Sequence, residues 1–332
     1  MHLKQRIDLL VRLGIYMNST TDAWQEIKKK ASMENAWFIP EFTELAVKNI
    51  SEEFLIKNKL ENWVAQYNVP EKNLLPKNIG LIMAGNIPLV GFHDFLCIFV
   101  SGNRQLIKPS SKDNVLIRHL AEQLIAYDPE VKNYISFAEM LKGCDAYIAT
   151  GSNNSARYFE YYFGKFPHLI RRNRTSAAIL NGNESKMDLE KLADDVYLYF
   201  GLGCRNVTKI FVPEDYDFVP LIDAFKKYNH LIENHKYKNN YDYQLAILII
   251  NKKFYMTDGS VILTENSSAF SPIGVLHFEQ YKNLKNVISS LSSNNEIQCV
   301  VGNNQVPFGR AQQPSLADYA DGVDTMKFLS NL

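Results

Sequence analysis

Apolar residues recur at helical spacing through the first seventy positions, then give way to short apolar runs separated by polar turns. Residues 3–16 and 50–67 read as amphipathic helices, the second carrying Phe54, Leu55, Leu60, Trp63 and Val64 on one face. Strands are expected at 78–83, at 104–108 (ended by Pro109) and at 145–150 (ended by Gly151-Ser152). Between them a helix over 114–127, which Asp113 can cap, turns Val115, Leu116, Leu120, Leu124 and Ile125 toward a core. Further on, 188–200 reads as a helix and 206–212 as the strand after it. The almost unbroken apolar run 243–250 reads as a buried strand of a second sheet. Strands alternating with helices imply a largely parallel sheet covered on both faces.

Composition narrows the classes. At 332 residues the chain is long enough for about two domains. With 46% hydrophobic residues and 36 basic against 36 acidic side chains, it is neither disordered nor built to neutralise nucleic-acid phosphates. Asp8 and Arg12 interrupt the N-terminal apolar pattern, so no secretory leader is expected. The apolar stretch 79–100 holds Asn86, Pro88, His93 and Asp94, which are costly in a bilayer, so a strand, turn and helix are expected instead of a membrane span. Cys97, Cys144, Cys204 and Cys299 are far apart with no CxxC, which suggests no disulfide framework and no metal site. Such thiols suit a reducing cytoplasm, the expected location. Cys97, Cys144 and Cys299 are expected in the core.

Four stretches could carry chemistry. Ala84-Gly85-Asn86-Ile87-Pro88 follows a strand, where open parallel sheets bind ligands, though an asparagine there also serves a plain turn. Lys108, Ser110, Ser111 and Lys112 offer cationic and hydroxyl contacts to a ribose or phosphate, or simply end a strand. Gly151-Ser152 allows close backbone approach to a phosphate, but it is a lone turn and not GxGxxG. Gly201-Leu202-Gly203-Cys204-Arg205-Asn206 opens space around a thiol that Arg205 can favour as thiolate, so Cys204 is the candidate nucleophile among the four cysteines.

Taken in order, these stretches resemble the aldehyde dehydrogenase superfamily, and within it the LuxC-like acyl-CoA reductases, the fatty-acid reductase family. The resemblance runs from about Trp37 to the C-terminus. It is carried chiefly by residues 84–94, by 199–206 and by Asp318-Tyr319-Ala320-Asp321-Gly322-Val323-Asp324. It implies an α/β fold with a Rossmann-type cofactor domain, an α/β catalytic domain and a helical N-terminal segment. The expected divisions are 1–70 for that segment, packed on the cofactor domain, 71–200 for the cofactor domain, 201–305 for the catalytic domain, and 306–332 for a closing segment that returns to the active site.

By position, the resemblance makes Cys204 the nucleophile and Asn86 an oxyanion-hole donor together with the Cys204 N–H. Lys108 and Ser110 hold the adenosine ribose, and Gly151 and Ser152 lie near the cofactor pyrophosphate. Where oxidising relatives carry a glutamate base, residues 169–176 contain no carboxylate, which favours reduction over hydrolysis. Where NAD-specific relatives carry a ribose-binding Glu, this chain has Ser111 followed by Lys112, which points to NADPH. Arg171, Arg172 and Arg174 are candidate phosphate contacts to NADPH or coenzyme A, and His93 or His235 could move protons. The expectation is an NADPH-dependent acyl-CoA reductase, homo-oligomeric, taking its acyl group from CoA, a carrier or a partner enzyme. The alternatives are a cysteine acyltransferase or thioesterase without hydride transfer, and a non-catalytic nucleotide-binding protein.

Overall fold

Each strand expected in the first half forms. β1 (Asn78–Ile82), β2 (Arg104–Lys108), β3 (Ile135–Phe137), β4 (Ala146–Thr150) and β5 (His168–Arg171) build one parallel sheet in the order β3-β2-β1-β4-β5. The strand order reverses beside β1, so ligands are expected at the carboxyl ends of β1 and β4. The computed structural model describes all 332 residues, which divide into two units: Met1–Asn173 with Pro314–Leu332, and Arg174–Gln313. The first sheet belongs to the first unit.

Helices α1 (Leu3–Met17), α2 (Asp22–Glu34), α3 (Pro40–Phe54) and α4 (Lys57–Val64) precede the sheet. They share one apolar core with α5 (Phe92–Val100) and α6 (Val115–Tyr127). Arg6 of α1 is fully buried and donates from Nε to the Val100 carbonyl at 3.1 Å and from Nη1 to the Met1 carbonyl at 2.8 Å. The single helix expected over 50–67 is two. The chain turns at Leu55–Ile56 so that Leu55 packs against Gly14, where an added Cβ would lie 2.7 Å from the Leu55 Cβ. The stretch 79–100 is β1, a turn and α5, and no helix is long and apolar enough to cross a membrane.

After α7 (Asn153–Phe163) the second unit opens with β6 (Thr175–Ile179) and α8 (Lys186–Tyr197), followed by β7 (Val207–Pro213), α9 (Val219–Phe225) and α10 (His235–Ile250). It continues with β8 (Met256–Thr257), β9 (Ile262–Glu265), β10 (Val275–Tyr281), α11 (Leu284–Ser293) and β11 (Ile297–Gly302). Its sheet runs β11-β6-β7-β10-β9-β8, with only the β8–β9 pair antiparallel. The boundary expected near 200 therefore falls at Asn173/Arg174, because β6 pairs with β7 and β11 rather than with the first sheet. The closing segment also divides. Residues 306–313 stay in the second unit, and residues from Pro314, with α12 (Thr325–Ser330), belong to the first.

The run 243–250 is not a buried strand. It forms the last two turns of α10, with Tyr243, Ile249 and Ile250 exposed. The helix starts eight residues earlier, at His235, and is capped by Asn234, whose side chain accepts the Lys236 and Tyr237 N–H groups. An apolar run read without its cap does not distinguish helix from strand.

Arg171 ends β5 and is buried, not offered to a phosphate. Nη2 donates to Asp94 Oδ1 and to Thr325 Oγ1, both at 2.7 Å, and Nη1 donates to the Ala320 carbonyl. It ties α5, β5 and the C-terminal segment together within the first unit. Replacing Arg171 by Met leaves a buried Asp94 carboxylate without its cation and is expected to cost about 3–5 kcal/mol in urea unfolding; a loss below about 1 kcal/mol, the level of an exposed pair, contradicts this role.

Candidate active site

In the first unit the singled-out residues collect at the carboxyl edge of the sheet. The Met83 N–H donates to the Lys108 carbonyl at 3.1 Å, which joins the two loops that leave β1 and β2. Gly85 lies so close to Ser110 that a Cβ would sit 2.5 Å from its Oγ, so a side chain at 85 would drive the loops apart. Asn86 follows, half-buried. Leu89 is buried with a φ of 56°, a conformation that costs a branched residue about 1–2 kcal/mol. Its N–H donates to Asp113 Oδ2 at 2.6 Å.

That bond corrects the expected cap. Asp113 does not cap α6, whose N-cap residue is Asn114 and whose start has no side-chain cap bond. Its carboxylate turns inward and holds the loop that carries Asn86, leaving Oδ1 buried without a partner. Burial pushes Asp113 up to about 7, against the opposing pull of the Leu89 N–H.

Lys108, Ser111 and Lys112 are exposed, and the Ser110 Oγ accepts the Lys112 N–H at 3.2 Å. The Asn35 side chain donates to the Lys112 carbonyl at 3.1 Å, fixing the loop from α2's end. Gly151 and Ser152 start α7. Ser152 is its N-cap, accepting the Ser155 N–H at 3.2 Å, and a Cβ on Gly151 would lie 2.9 Å from the Ser155 Cβ. The helix can therefore begin directly at the strand end, with its N-terminal N–H groups at the sheet edge.

In the second unit the candidate thiol lies at the amino edge of the sheet. α8 ends at Tyr197, and Tyr199, Phe200 and Gly201 take φ of 56°, 57° and 73°. Two buried aromatics in left-handed backbone are local strain of the kind that gathers at functional sites. Asn206, fully buried, closes the turn. Its Nδ2 lies 3.1, 3.3 and 2.8 Å from the carbonyls of Asp195, Val196 and Leu198, and its Oδ1 accepts the Gly203 N–H at 2.8 Å. Cys204 itself is half-buried. Its carbonyl accepts the Ser176 hydroxyl at 3.1 Å, and Arg205 donates from Nε to the Ala311 carbonyl at 2.6 Å. Part of the closing segment, residues 309–311, thus meets the thiol's own loop.

Cys97 and Cys144 are buried as expected, and burial pushes both thiols up. Cys299 is not a core residue. It is half-buried, with Sγ 3.1 Å from the same Ser176 Oγ that bonds the Cys204 carbonyl. No acid–base partner for Cys204 emerges from the two histidines. His93 is enclosed by Phe54, Trp63 and Tyr319, with Nε2 3.0 Å from the Leu316 carbonyl, and burial lowers its pKa, so it is a packing residue of the first unit. His235 opens α10 and is exposed. Arg172 is exposed and pairs with Glu160, while Arg174 is half-buried, with Nη1 3.4 Å from the Ile297 carbonyl.

The sequence assigned no role at the site to Asn206, Ser176, Asp113 or Asp195. Asp195 alone left a signal: it lies one turn after Leu192 on the buried stripe of α8, an acid among Leu189, Leu192, Ala193 and Val196.

The sequence model of the acyl-CoA reductase (LuxC) family matches residues 43–302. Curated protein sequences yield no match. Among solved structures the chain is similar to an NADP-dependent enzyme of E. coli, with a TM-score of 0.67 and 12% identity over 91% of this chain and 73% of that one. A putative aldehyde dehydrogenase from Burkholderia cenocepacia gives a TM-score of 0.65 at 12% identity, covering 87% and 72%. The Mycobacterium tuberculosis aldehyde dehydrogenase complexed with NAD+ gives 0.65 at 14%, covering 87% and 70%. At these identities the likeness shows the fold, which is that of aldehyde dehydrogenases.

The raised Asp113 sets a pH test. An acid whose folded value exceeds its unfolded value binds more protons when folded, so its stabilising contribution is full below the ordinary carboxyl range and is lost as pH rises through about 7. Asp113→Asn keeps an acceptor for Leu89 and cannot ionise. Its stability relative to the parent should improve between pH 5 and pH 8 in paired urea titrations, by about 1 kcal/mol or more. A difference that does not change with pH contradicts the burial of a titrating carboxyl.

Proposed function

The chain belongs to the acyl-CoA reductase (LuxC) family, and from that premise we propose that it reduces a fatty acyl thioester to the aldehyde with NADPH, through an acyl-Cys204 intermediate. The observation that carries the reading is the loop of Cys204, a half-buried thiol whose neighbours Gly203, Arg205 and Asn206 are each anchored by hydrogen bonds.

The chemistry follows from the residue types. The Cys204 thiolate attacks the thioester carbonyl carbon, and the bond from that carbon to the coenzyme A sulfur breaks, so coenzyme A leaves as its thiol after taking up a proton. Negative charge collects on the carbonyl oxygen, for which the family resemblance assigns the Asn86 amide and the Cys204 N–H as donors; losing one such donor typically costs ~100–1,000-fold in rate. The acyl-enzyme lasts because residues 169–176 present no carboxylate to activate water.

The carboxyl edge of the first sheet suits a nicotinamide dinucleotide. The Gly151-Ser152 helix start suits a pyrophosphate, and Lys108 and Ser110 suit a ribose. Ser111 and Lys112 are exposed and favour a 2′-phosphate, which a carboxylate there would repel. Bound there, NADPH would supply a hydride to the acyl carbonyl carbon. Cys204 is then released as the thiolate, ready for the next acyl group, when the aldehyde departs. Arg172 and Arg174 remain the candidate contacts to the phosphates of NADPH or coenzyme A, and Arg171, committed to Asp94, leaves that list. The same reading includes a homo-oligomer and an acyl donor that is CoA, a carrier or a partner enzyme.

Purified protein mixed with NADPH and acyl-CoAs of graded chain length should oxidise the nicotinamide and release coenzyme A in equal amounts. Release of coenzyme A without nicotinamide oxidation means an acyltransferase or thioesterase instead. Ser111→Glu should lower the preference for NADPH over NADH by about tenfold or more, since it sets a carboxylate against the 2′-phosphate; an unchanged preference places that phosphate elsewhere.

A further inference from the structure

We infer that Asp195 is a positioning residue for the thiol: its carboxylate fixes residues 309–311, which fix Arg205, the cation next to Cys204. The inference rests on the reading of Cys204 as nucleophile and names a residue on which that nucleophile depends.

Asp195 is fully buried on α8. Its Oδ2 accepts the Gly309 N–H at 2.7 Å and its Oδ1 accepts the Ala311 N–H at 2.9 Å, so each oxygen takes one backbone donor. The Ala311 carbonyl, on the other side of the same residue, accepts Arg205 Nε at 2.6 Å. The backbone carbonyl of Asp195 receives Asn206 Nδ2 at 3.1 Å. One residue thus holds the nucleophile loop twice: by its main chain through Asn206, and by its side chain through 309–311 and Arg205.

Helix packing alone would be better served by an apolar residue, because a buried carboxylate costs free energy unless it is well bonded. The site wants a carboxylate for a geometric reason. Two N–H groups converge on it, and only a carboxylate offers an acceptor to both; an asparagine bonds one and turns its own NH2 group on the other. With Ala311 displaced, Arg205 loses the carbonyl that sets its guanidinium, and the thiolate at Cys204 loses a fixed neighbouring cation. The charged and titratable groups around this loop are Arg205, Asp195, its neighbour Asp194 on α8, Lys191 of α8 against Gly309, Arg310 between the two held residues and paired with Gln313, and the Cys299 thiol across Ser176.

The test is the pH profile of Cys204 alkylation by iodoacetamide, followed on the Cys204 peptide by mass spectrometry in the full-length protein. Asp195→Asn should move the midpoint upward and slow alkylation near neutral pH by about tenfold, the equivalent of about one pKa unit. Arg205→Gln should do the same, and adding Asp195→Asn to Arg205→Gln should change nothing further. A residue that only stabilises the fold would lower the melting temperature and leave the midpoint where it is. An unmoved midpoint in Arg205→Gln overturns the inference whether or not Asp195→Asn folds. An equal shift by Asp195→Asn with and without Arg205 also overturns it. Should the midpoints move as expected while Cys204→Ala keeps its reductase activity, the positioning stands and the nucleophile reading falls.

Discussion

The end of α8 has to be closed in so little chain that the next strand begins only ten residues later. A helix leaves its last carbonyls without partners, and here a single side chain, Asn206, meets those of Asp195 and Val196 and the Leu198 carbonyl just beyond them. The intervening turn holds two non-glycine residues in left-handed backbone, at about 1–2 kcal/mol each. Asn206's hydrogen bonds return about 1 kcal/mol apiece. Burial of the Tyr199 and Phe200 rings, at about 1.5–3 kcal/mol each, adds to them. Asn206 and the aromatic pair together therefore keep the strained turn folded, and Asn206 gives it one geometry. Cys204 sits inside that closed loop, so the thiol is presented by a rigid frame although it lies outside regular structure.

Charge follows a similar division of labour. The zero net charge of the chain conceals cations of two kinds. Arg6 and Arg171 are buried and bonded to carbonyls and to Asp94, where they join segments distant in sequence. Lys108 and Lys112 are exposed at the carboxyl edge of the first sheet, where an anionic ligand can meet them. The buried acid Asp113 accepts a backbone N–H of the loop that carries Asn86, and Asp195 accepts two from residues 309–311, the segment that bonds Arg205.

Much of this was legible in the sequence where a pattern is local. The strands at 78–82, 104–108 and 146–150 and the turns after them were readable because apolar runs and turn residues act over a few positions. So was the place of Cys204 in a glycine-containing turn between a helix and a strand, flanked by Gly203 and Arg205. What depended on distant partners was not. Arg171 looks like part of a basic run until Asp94 and Thr325 are brought beside it. Asp113 looks like a cap until Leu89, twenty-four residues earlier, offers its N–H. The run 243–250 looks like a strand because the cap that makes it helical lies at Asn234. The unit boundary was invisible for the same reason: β6 finds its partners β7 and β11 only in the folded chain.

The central claim is that Cys204 carries the acyl group. The direct measurement is peptide mass mapping after the protein meets a long-chain acyl-CoA without any nicotinamide cofactor. The account predicts one acyl group in thioester linkage on the peptide containing Cys204, removed when NADPH is added and absent from Cys204→Ala. An acyl group on the Cys299 peptide, or on none of the four cysteines while aldehyde still forms, would contradict it.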